Sequence, residues 1–260
     1  MNHEPWQSIF DQYKIDQHDF DKSPYIIKAE QIKVATASFK TTNQREVRVL
    51  CKQDSREDRP QIFINNNLFI LPIRNGVYAI LKGEGYVDIP EIQSGITHYK
   101  SKLDFTLDTS IVGNSEMQHL DFAYASSLIR SFLNDESLVL TIRGRKYTPK
   151  FELIVGHHKI MVESVQTEVD AGYEGKEQVV LIEAKNSASK NTIIRQLYYP
   201  FRQWRLHTQK KVKILFFEKQ GRYYSLFEFE FTDEMNYNSI TLIKSEKFKI
   251  LPKPQQQTEK

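Results

Sequence analysis

The sequence predicts a mixed α/β fold preceded by a mostly β N-terminal domain, residues 1–95. Short runs of β-branched and aromatic residues, separated by turn residues, dominate that N-terminal part, as is typical of strands. Beyond residue 96, two segments carry apolar residues at steps of three and four, which indicates helices that bury one side. Apolar runs of strand length lie between and after those segments. The resulting order is helix, several strands, helix, strand, strand.

Composition excludes several classes of protein. The chain has 260 residues and a formal net charge of +3, so it is long enough for one large domain or two modest ones. Cys51 is the only cysteine, which excludes an internal disulfide and a cysteine-based zinc site. The N-terminus lacks the basic start and apolar stretch of a signal peptide, and no run approaches the ~20 apolar residues of a membrane span. We therefore expect a cytoplasmic protein without membrane contact.

Four segments of the N-terminal domain have strand composition: 46–50, 61–64, 68–71 and 77–81. The dipeptide Asn75-Gly76, between the last two segments, predicts a tight hairpin turn. The charged stretch 53–60 is expected to be a loop.

The second part of the chain, residues 96–251, is expected to carry two helices. The first begins beside Ser115, which has capping-box spacing to Gln118. Its buried stripe consists of Met117, Leu120, Tyr124, Leu128 and Phe132. The second helix buries Ile193, Ile194, Leu197, Phe201 and Trp204, and Pro200 should kink or weaken it. Strands are predicted at 138–142, 151–155, 159–162, 165–170, 179–185, 212–217 and 223–231. Residues 252–260 are expected to form a disordered tail.

Two neighbouring strands place acids and a lysine at one edge of this sheet. Asp170 ends the alternation 165–170, and Glu183-Ala184-Lys185 ends the next strand. Gly172 and Gly175 are expected in the turn between them. Alternate residues of a strand share a face and lie roughly 6.5–7 Å apart, so Glu183 and Lys185 should point the same way.

These residue types suit metal-dependent phosphodiester hydrolysis. Mg²⁺ prefers oxygen ligands, which Asp170, Glu183 and the backbone carbonyl of Ala184 can supply. Lys185 can orient or deprotonate the attacking water and offset negative charge in the transition state. The Glu-x-Lys triplet itself is common: Glu174-Gly175-Lys176 is another, in a turn without an apolar strand before it. An exposed strand end with a surface ion pair is the alternative interpretation of the triplet at 183–185.

Asp170 followed by Glu183-Ala184-Lys185 and a basic helix resembles the PD-(D/E)xK nuclease superfamily and, within it, type II restriction endonucleases. The resemblance covers about residues 100–231. Within it, the sequences of segments 168–174, 182–185 and 195–200 resemble those of a subgroup of restriction enzymes. It implies a restriction-endonuclease-like core, a mixed central sheet flanked by helices. It also implies Mg²⁺-dependent cleavage of double-stranded DNA at a specific short sequence, with Asp170 and Glu183 as metal ligands and Lys185 as the catalytic lysine.

Two further residues match the family less specifically. Glu116 lies where family members commonly have a metal-binding glutamate, although an acid in a first helical turn is also favoured by the helix dipole. Gln196 could reach the site from the second helix. The sequence departs from the family at Val169, where the family name has proline, and at Pro200, which replaces the tyrosine that exonuclease-like relatives carry after Gln196.

Basic residues cluster beside the candidate site. Between Lys185 and Arg222 there are ten Lys or Arg residues and one acid, Glu218. Candidate phosphate contacts are Arg143, Arg145 and Lys146 in a tight connection after a strand, and Arg195, Arg202 and Arg205 on the second helix. A solvated basic helix face is the alternative. Base recognition is assigned to the N-terminal domain, with Arg48, Lys52, Arg56, Arg59 and the turn 65–67 as candidates.

Three functions are compatible with these features. The first is a type II restriction endonuclease that acts as a homodimer, because two symmetric sites cut both strands of a palindrome most simply. A cognate DNA methyltransferase would then belong to the same system. The second is a structure-specific nuclease of DNA repair or recombination. The third is a non-catalytic DNA-binding protein with a nuclease-like fold.

Overall fold

The computed structural model describes residues 2–251, and the tail predicted at 252–260 lies outside the described residues. The helices of this part are α1 (His3–Tyr13), α2 (Ala29–Ala35), α3 (Val47–Leu50), α4 (Gln61–Asn65), α5 (Glu116–Ala125), α6 (Leu128–Leu133) and α7 (Ile194–Arg205). The strands are β1 (Tyr25–Lys28), β2 (Leu68–Arg74), β3 (Val77–Lys82), β4 (Tyr86–Asp88), β5 (Thr97–Lys100), β6 (Val139–Tyr147), β7 (Phe151–Val155), β8 (His158–Val162), β9 (Gln166–Glu174), β10 (Gln178–Lys185), β11 (Asn191–Ile193), β12 (Lys211–Gln220), β13 (Tyr223–Phe231) and β14 (Ile240–Leu251).

A seven-stranded mixed sheet forms the centre of the molecule, in the order β5-β14-β13-β12-β10-β9-β6. The neighbours β10 and β12 run parallel, whereas β10 and β9 run antiparallel. Parallel neighbours require a crossover connection, and α7 provides it between β10 and β12. The predicted mixed α/β fold is therefore confirmed.

Each face of this sheet covers a hydrophobic core. Val179 and Leu181 of β10 point into the core that contains α7, and Val180 and Ile182 point into the core that contains α5 and α6. The continuous apolar run of β10 thus reflects a strand buried on both faces, as is usual for strands with helices on either side. The polar residues that follow this run lie at the sheet's end.

The N-terminal region differs from its prediction in two segments. Residues 46–50 and 61–64 form α3 and α4 instead of strands. The Glu46 carboxylate accepts a hydrogen bond from the Arg48 amide at the start of α3, and Phe63 of α4 packs edge-on against Trp6, with ring centroids 4.7 Å apart. Capping and tertiary packing therefore override strand composition here. With four helices around a three-stranded sheet, this region is mixed α and β and not mostly β.

The sheet β1-β3-β2 joins the two parts of the chain. Ile70 and Ile80 face the core around Trp6, while Phe69 and Leu81 belong to the core of the central sheet. The predicted hairpin at Asn75-Gly76 is confirmed between β2 and β3, and Gly76 adopts a φ of +70° that glycine tolerates without strain. The following strand β4 pairs with β11 of the second part.

Other segments differ more locally. The predicted helical stripe is broken between α5 and α6, where Ser127 has a φ of 64°, and Met117 is exposed. Arg143 to Lys146 lie within β6 instead of a connection after it, and Gly172 lies within β9 instead of the turn. The long strand β14, next to the edge strand β5, was absent from the prediction, although apolar and polar residues alternate along part of it.

None of the helices in residues 2–251 has both the length and the apolar character needed to cross a bilayer.

Gly172→Ala should destabilise the fold. A Cβ atom at this position would lie 2.6 Å from Cβ of Ile142 on the adjacent strand, and neither atom belongs to a flexible side-chain end. Overpacking of this kind costs about 1–3 kcal/mol of unfolding free energy. Urea unfolding followed by circular dichroism should therefore give a lower midpoint with an unchanged slope. A midpoint equal to that of the wild type would show that the two strands separate readily.

Candidate active site

The strands β9 and β10 part at the predicted site. Their backbone pairing ends at Ile182 opposite Ala171. One position further, the Asp170 carboxylate accepts a hydrogen bond from the Ala184 amide at 2.8 Å. The Asp170 side chain thus provides the acceptor for an amide that lies beyond the last backbone pair. This hydrogen bond holds Asp170 against the end of β10.

A β-bulge in β9 explains the position of Asp170. Ile142 of β6 is opposite Gly172 and Gly144 is opposite Val169, so β9 uses one residue more than β6 across this interval. Consistent with this, Val169 and Ala171 enter opposite cores, although alternate residues of a regular strand share a face. Bulges re-aim side chains and are common beside active sites. Here the bulge turns Asp170 toward β10.

Glu183 and Lys185 lie together as predicted. The Lys185 Nζ atom is 2.6 Å from Oε1 of Glu183. The Glu183 side chain is 11% exposed and the Lys185 side chain 26% exposed, so this ion pair is largely withdrawn from water. The pair is therefore more buried than the alternative interpretation, an exposed surface pair, predicts.

Burial dominates the electrostatics of the site. It raises the pKa of Glu183 to about 7, although attraction to Lys185 opposes the shift. Burial also raises the pKa of Asp170, against the stabilising Ala184 amide. For Lys185, burial disfavours the charged form, but attraction to Glu183 outweighs it and raises the pKa. The site therefore holds acids whose charged forms lack solvation, which favours binding of a cation.

Glu116 approaches the site from α5. The amide nitrogen of the Asn186 side chain donates to the Asn114 carbonyl at 2.7 Å, which ties the segment before α5 to the end of β10. The negative charge of Glu116 contributes to the raised pKa values of both Asp170 and Lys185. Ser115 caps α5, since its side chain accepts from the Gln118 amide, but the Gln118 side chain donates to the Thr109 carbonyl instead of completing the predicted capping box.

Gln196 approaches the site from α7. It lines a small cavity together with Glu183 and Glu168. Its Oε1 atom accepts a hydrogen bond from the Thr192 hydroxyl at 2.9 Å, which fixes the side chain one turn into the helix. Gln196 therefore lies across a small, mostly apolar cavity from Glu183, and its role at the site stays a prediction.

Asp54 is a site residue that sequence reasoning missed. Its carbonyl accepts from the Ile193 amide at 2.8 Å, and its carboxylate lies 3.8 Å from Arg195 of α7 with the side chain 21% exposed. The charge of Asp54 contributes to the raised pKa values of Glu183 and Lys185. No motif singles out this acid within its charged loop, because its position depends on the packing of the N-terminal region against α7.

The three basic residues of β6 lie beside the bulge. Arg143 forms an ion pair with Asp121, and the negative charges of Asp121 and, more weakly, Asp170 raise its pKa. Arg145 pairs with Glu168 at 3.1 Å. Lys146 lies 6.0 Å from the centre of the Trp204 ring. All three side chains are exposed and remain candidates for phosphate contacts.

The basic residues of α7 are less available. Arg202 is 7% exposed and donates to the carbonyls of Glu152 and Glu234, so its prediction as a phosphate contact is wrong. Arg205 pairs with Glu234 at 2.6 Å. Six of the ten basic residues between 185 and 222 form ion pairs. This stretch is therefore not a free positive surface.

Two of the arginines considered for base recognition are also engaged. Arg56 pairs with Glu84 and Asp88. Arg59 donates to the Leu68 carbonyl and lies 5.2 Å from the centre of the Tyr86 ring. Both hold the connection between the N-terminal region and the rest of the chain in place.

The donor set of the site fits a hard divalent cation. Among residues 2–251, no group of three or more His, Cys, Asp and Glu side chains is arranged to hold a metal. Mg²⁺ commonly needs only one or two carboxylates and takes its remaining ligands from water and substrate phosphates. Asp170 and Glu183, both poorly solvated in their charged forms, match that requirement.

Two family models match the chain. Residues 81–249 match a domain of unknown function, DUF6997, and residues 3–80 match a second, DUF6996. The two matches meet within β3. No curated protein and no solved structure matches significantly.

Glu183→Gln should stabilise the fold more at high pH than at low pH. The pKa of about 7 in the folded protein lies above the ordinary value of 4.5. The stability associated with protonated Glu183 is therefore complete below pH 4.5 and is lost as the pH rises through about 7. Glutamine loses no proton, so the gain in unfolding free energy should grow between about pH 5 and about pH 8, by up to about 3 kcal/mol.

Urea unfolding in EDTA measures this difference without bound divalent cations. Glu91→Gln, at an exposed position, provides the matched control and should follow the wild type at every pH. If the unfolding free energy of Glu183→Gln also changes with pH as that of the wild type does, burial does not disfavour the charged form of Glu183.

Proposed function

The chain belongs to the DUF6997 family, and we propose that it is a Mg²⁺-dependent endonuclease that hydrolyses phosphodiester bonds in double-stranded DNA. The observation that supports this most strongly is the Asp170 carboxylate fixed by the Ala184 amide beside the buried Glu183–Lys185 pair. Two acids and a lysine gathered where β9 and β10 part match the chemistry of phosphodiester hydrolysis. The resemblance to type II restriction endonucleases adds site-specific cleavage to the proposal.

Asp170 and Glu183 would hold the metal. When bound, Mg²⁺ would supply an activated water and neutralise charge on the phosphoryl oxygens. Each carboxylate uses one oxygen in the structure, Oδ2 of Asp170 toward Ala184 and Oε1 of Glu183 toward Lys185. Each therefore keeps a second oxygen for a cation.

Lys185 would act on the reacting phosphate. An ammonium has three N–H donors, and the hydrogen bond to Glu183 uses one. The remaining donors can contact the attacking water or a phosphoryl oxygen as negative charge develops there. Because the pKa of Lys185 is raised, its role is that of a charged donor at neutral pH.

The remaining acids would tune these groups. Glu116 and Asp54 contribute negative charge from two different parts of the chain, one from α5 and one from the N-terminal region. Gln196 could orient a water molecule or a phosphate from its side of the small cavity. In the proposal, Glu116, Asp54 and Gln196 help to position the substrate or the metal and exchange no proton with the substrate.

The biological setting follows from the same resemblance. A restriction enzyme of this kind would act in the cytoplasm as a homodimer on symmetric DNA sites, beside a cognate DNA methyltransferase. A structure-specific repair nuclease would share the catalytic residues but would cut branched or nicked DNA and leave plain duplex intact. A non-catalytic DNA-binding protein would bind duplex DNA without cutting it.

Lys185→Ala should reduce Mg²⁺-dependent cleavage of plasmid DNA by about 10²-fold or more, because the charged donor at the phosphate is removed. Lys176→Ala is the matched control, since Lys176 belongs to the second Glu-x-Lys triplet and is exposed in a turn. It should cleave like the wild type. Quantifying discrete fragments on agarose gels gives both rates.

The same assay separates the three functions. Discrete fragments from the wild type support a restriction enzyme, and cleavage confined to branched or nicked substrates supports the repair nuclease. Duplex binding without cleavage in any divalent metal would contradict the proposed enzyme. Equal losses of cleavage in the two lysine variants would contradict the assignment of the site.

A further inference from the structure

A basic groove opens on the N-terminal region, away from the residues of the candidate active site. It has a volume of about 340 Å³ and is lined by Lys33, Lys40, Thr42, Arg45 and Glu46. Lys33 belongs to α2, and the other four lie between α2 and α3. All five residues are exposed.

The positive charge of this groove is not neutralised within the described chain. Among residues 2–251, the side chains of Lys33, Lys40 and Arg45 form no ion pair and no hydrogen bond with protein groups. The single acid, Glu46, is engaged at the start of α3, where its carboxylate accepts from the Arg48 amide at 3.4 Å. This differs from the stretch 185–222, where most cations are paired.

Three unpaired cations around one concavity favour an anionic ligand. With Glu46 as the one acid, the lining carries three positive charges and one negative charge, and an excess of one sign of charge in a concavity concentrates counter-ions. The guanidinium of Arg45 can grip two phosphate oxygens at once, and ammonium groups bind phosphate as point charges. The Thr42 hydroxyl adds a neutral donor of a type that also contacts phosphate in DNA complexes.

The groove is connected to the candidate active site along the chain. Arg45 and Glu46 precede α3, and the same segment continues to Asp54, whose carbonyl binds the Ile193 amide beside α7. One segment of the N-terminal region therefore carries both the groove residue Arg45 and, nine residues later, the site residue Asp54.

We propose that the groove lined by Lys33, Lys40 and Arg45 binds the phosphate backbone of duplex DNA and provides a second contact outside the active site. This inference rests on the proposed function, which makes DNA the substrate. In this proposal the groove supplies affinity and orientation, since contacts to phosphate fix the register of a protein on DNA without reading its sequence.

The triple variant Lys33→Gln, Lys40→Gln and Arg45→Gln tests the proposal. In EDTA, which prevents cleavage, its affinity for a short labelled duplex should fall about tenfold or more, measured by fluorescence anisotropy. The dependence of log affinity on log salt should become shallower by about 0.9 for each phosphate that the variant no longer neutralises. Circular dichroism spectra should match those of the wild type, since all three side chains are exposed.

A matched control removes the same charge elsewhere. Lys14, Lys150 and Arg222 are exposed and form no ion pair within residues 2–251. Their triple substitution by glutamine should leave both the affinity and the salt slope close to wild-type values. Equal losses of affinity in the two triple variants would overturn the groove as a specific contact.

Other outcomes separate the groove from the proposed enzyme. A wild type that cleaves duplex DNA, with a groove variant that binds DNA normally, would overturn the groove and leave the enzyme standing. A wild type that binds duplex through the groove but never cleaves would overturn the enzyme alone. Absence of duplex binding, or groove-dependent binding of inorganic phosphate in calorimetry without duplex binding, would overturn the DNA contact.

Discussion

The hydrogen bond between the Asp170 carboxylate and the Ala184 amide is the interaction on which the site depends. The backbone pairing of β9 with β10 ends at Ile182, two residues before Ala184, so this amide would otherwise lack a partner in a buried place. By supplying the acceptor, Asp170 allows the strands to part without an unsatisfied amide. The bulge in β9 accompanies this parting, since β9 uses one residue more than β6 between Val169 and Gly172.

Charge burial gives this arrangement its chemical character. Two acids and a lysine on a strand end would be ordinary surface groups if they were well solvated, and an exposed ion pair contributes little stability. Here the Glu183 side chain is 11% exposed, and burial raises the pKa of this residue to about 7. The fold tolerates a carboxylate that is costly to ionise, with Glu116 and Asp54 adding negative charge nearby. A bound divalent cation would offset the cost of ionising Glu183. The burial of this carboxylate therefore accounts for its raised pKa and supports the proposed metal binding.

Local sequence patterns predicted those parts of the fold that are determined by contacts between residues close together in the chain. The apolar run of β10, the hairpin at Asn75-Gly76 and the cap at Ser115 each depend on a few consecutive residues, and all were correct. The prediction of strands at 46–50 and 61–64 was wrong. The apolar residues of these segments fill a core around Trp6 from two helices and do not build a sheet. The bulge at Asp170 could not be predicted, because it is defined by the register of two strands and leaves no trace in either sequence alone.

The same distinction applies to the site. Strand alternation places Glu183 beside Lys185, whereas the orientation of Asp170 depends on the bulge, and Asp54 and the burial of Arg202 depend on contacts distant in sequence. The Asp54 contact has a structural consequence, because the N-terminal region supplies part of the electrostatic environment of Glu183 and Lys185. The sheet β1-β3-β2 is buried on both sides, against its own core and against the core of the central sheet, which fixes Asp54 beside α7. The N-terminal region is therefore a structural component of the candidate active site, and a change in its packing would alter the charge at the residues proposed to bind metal.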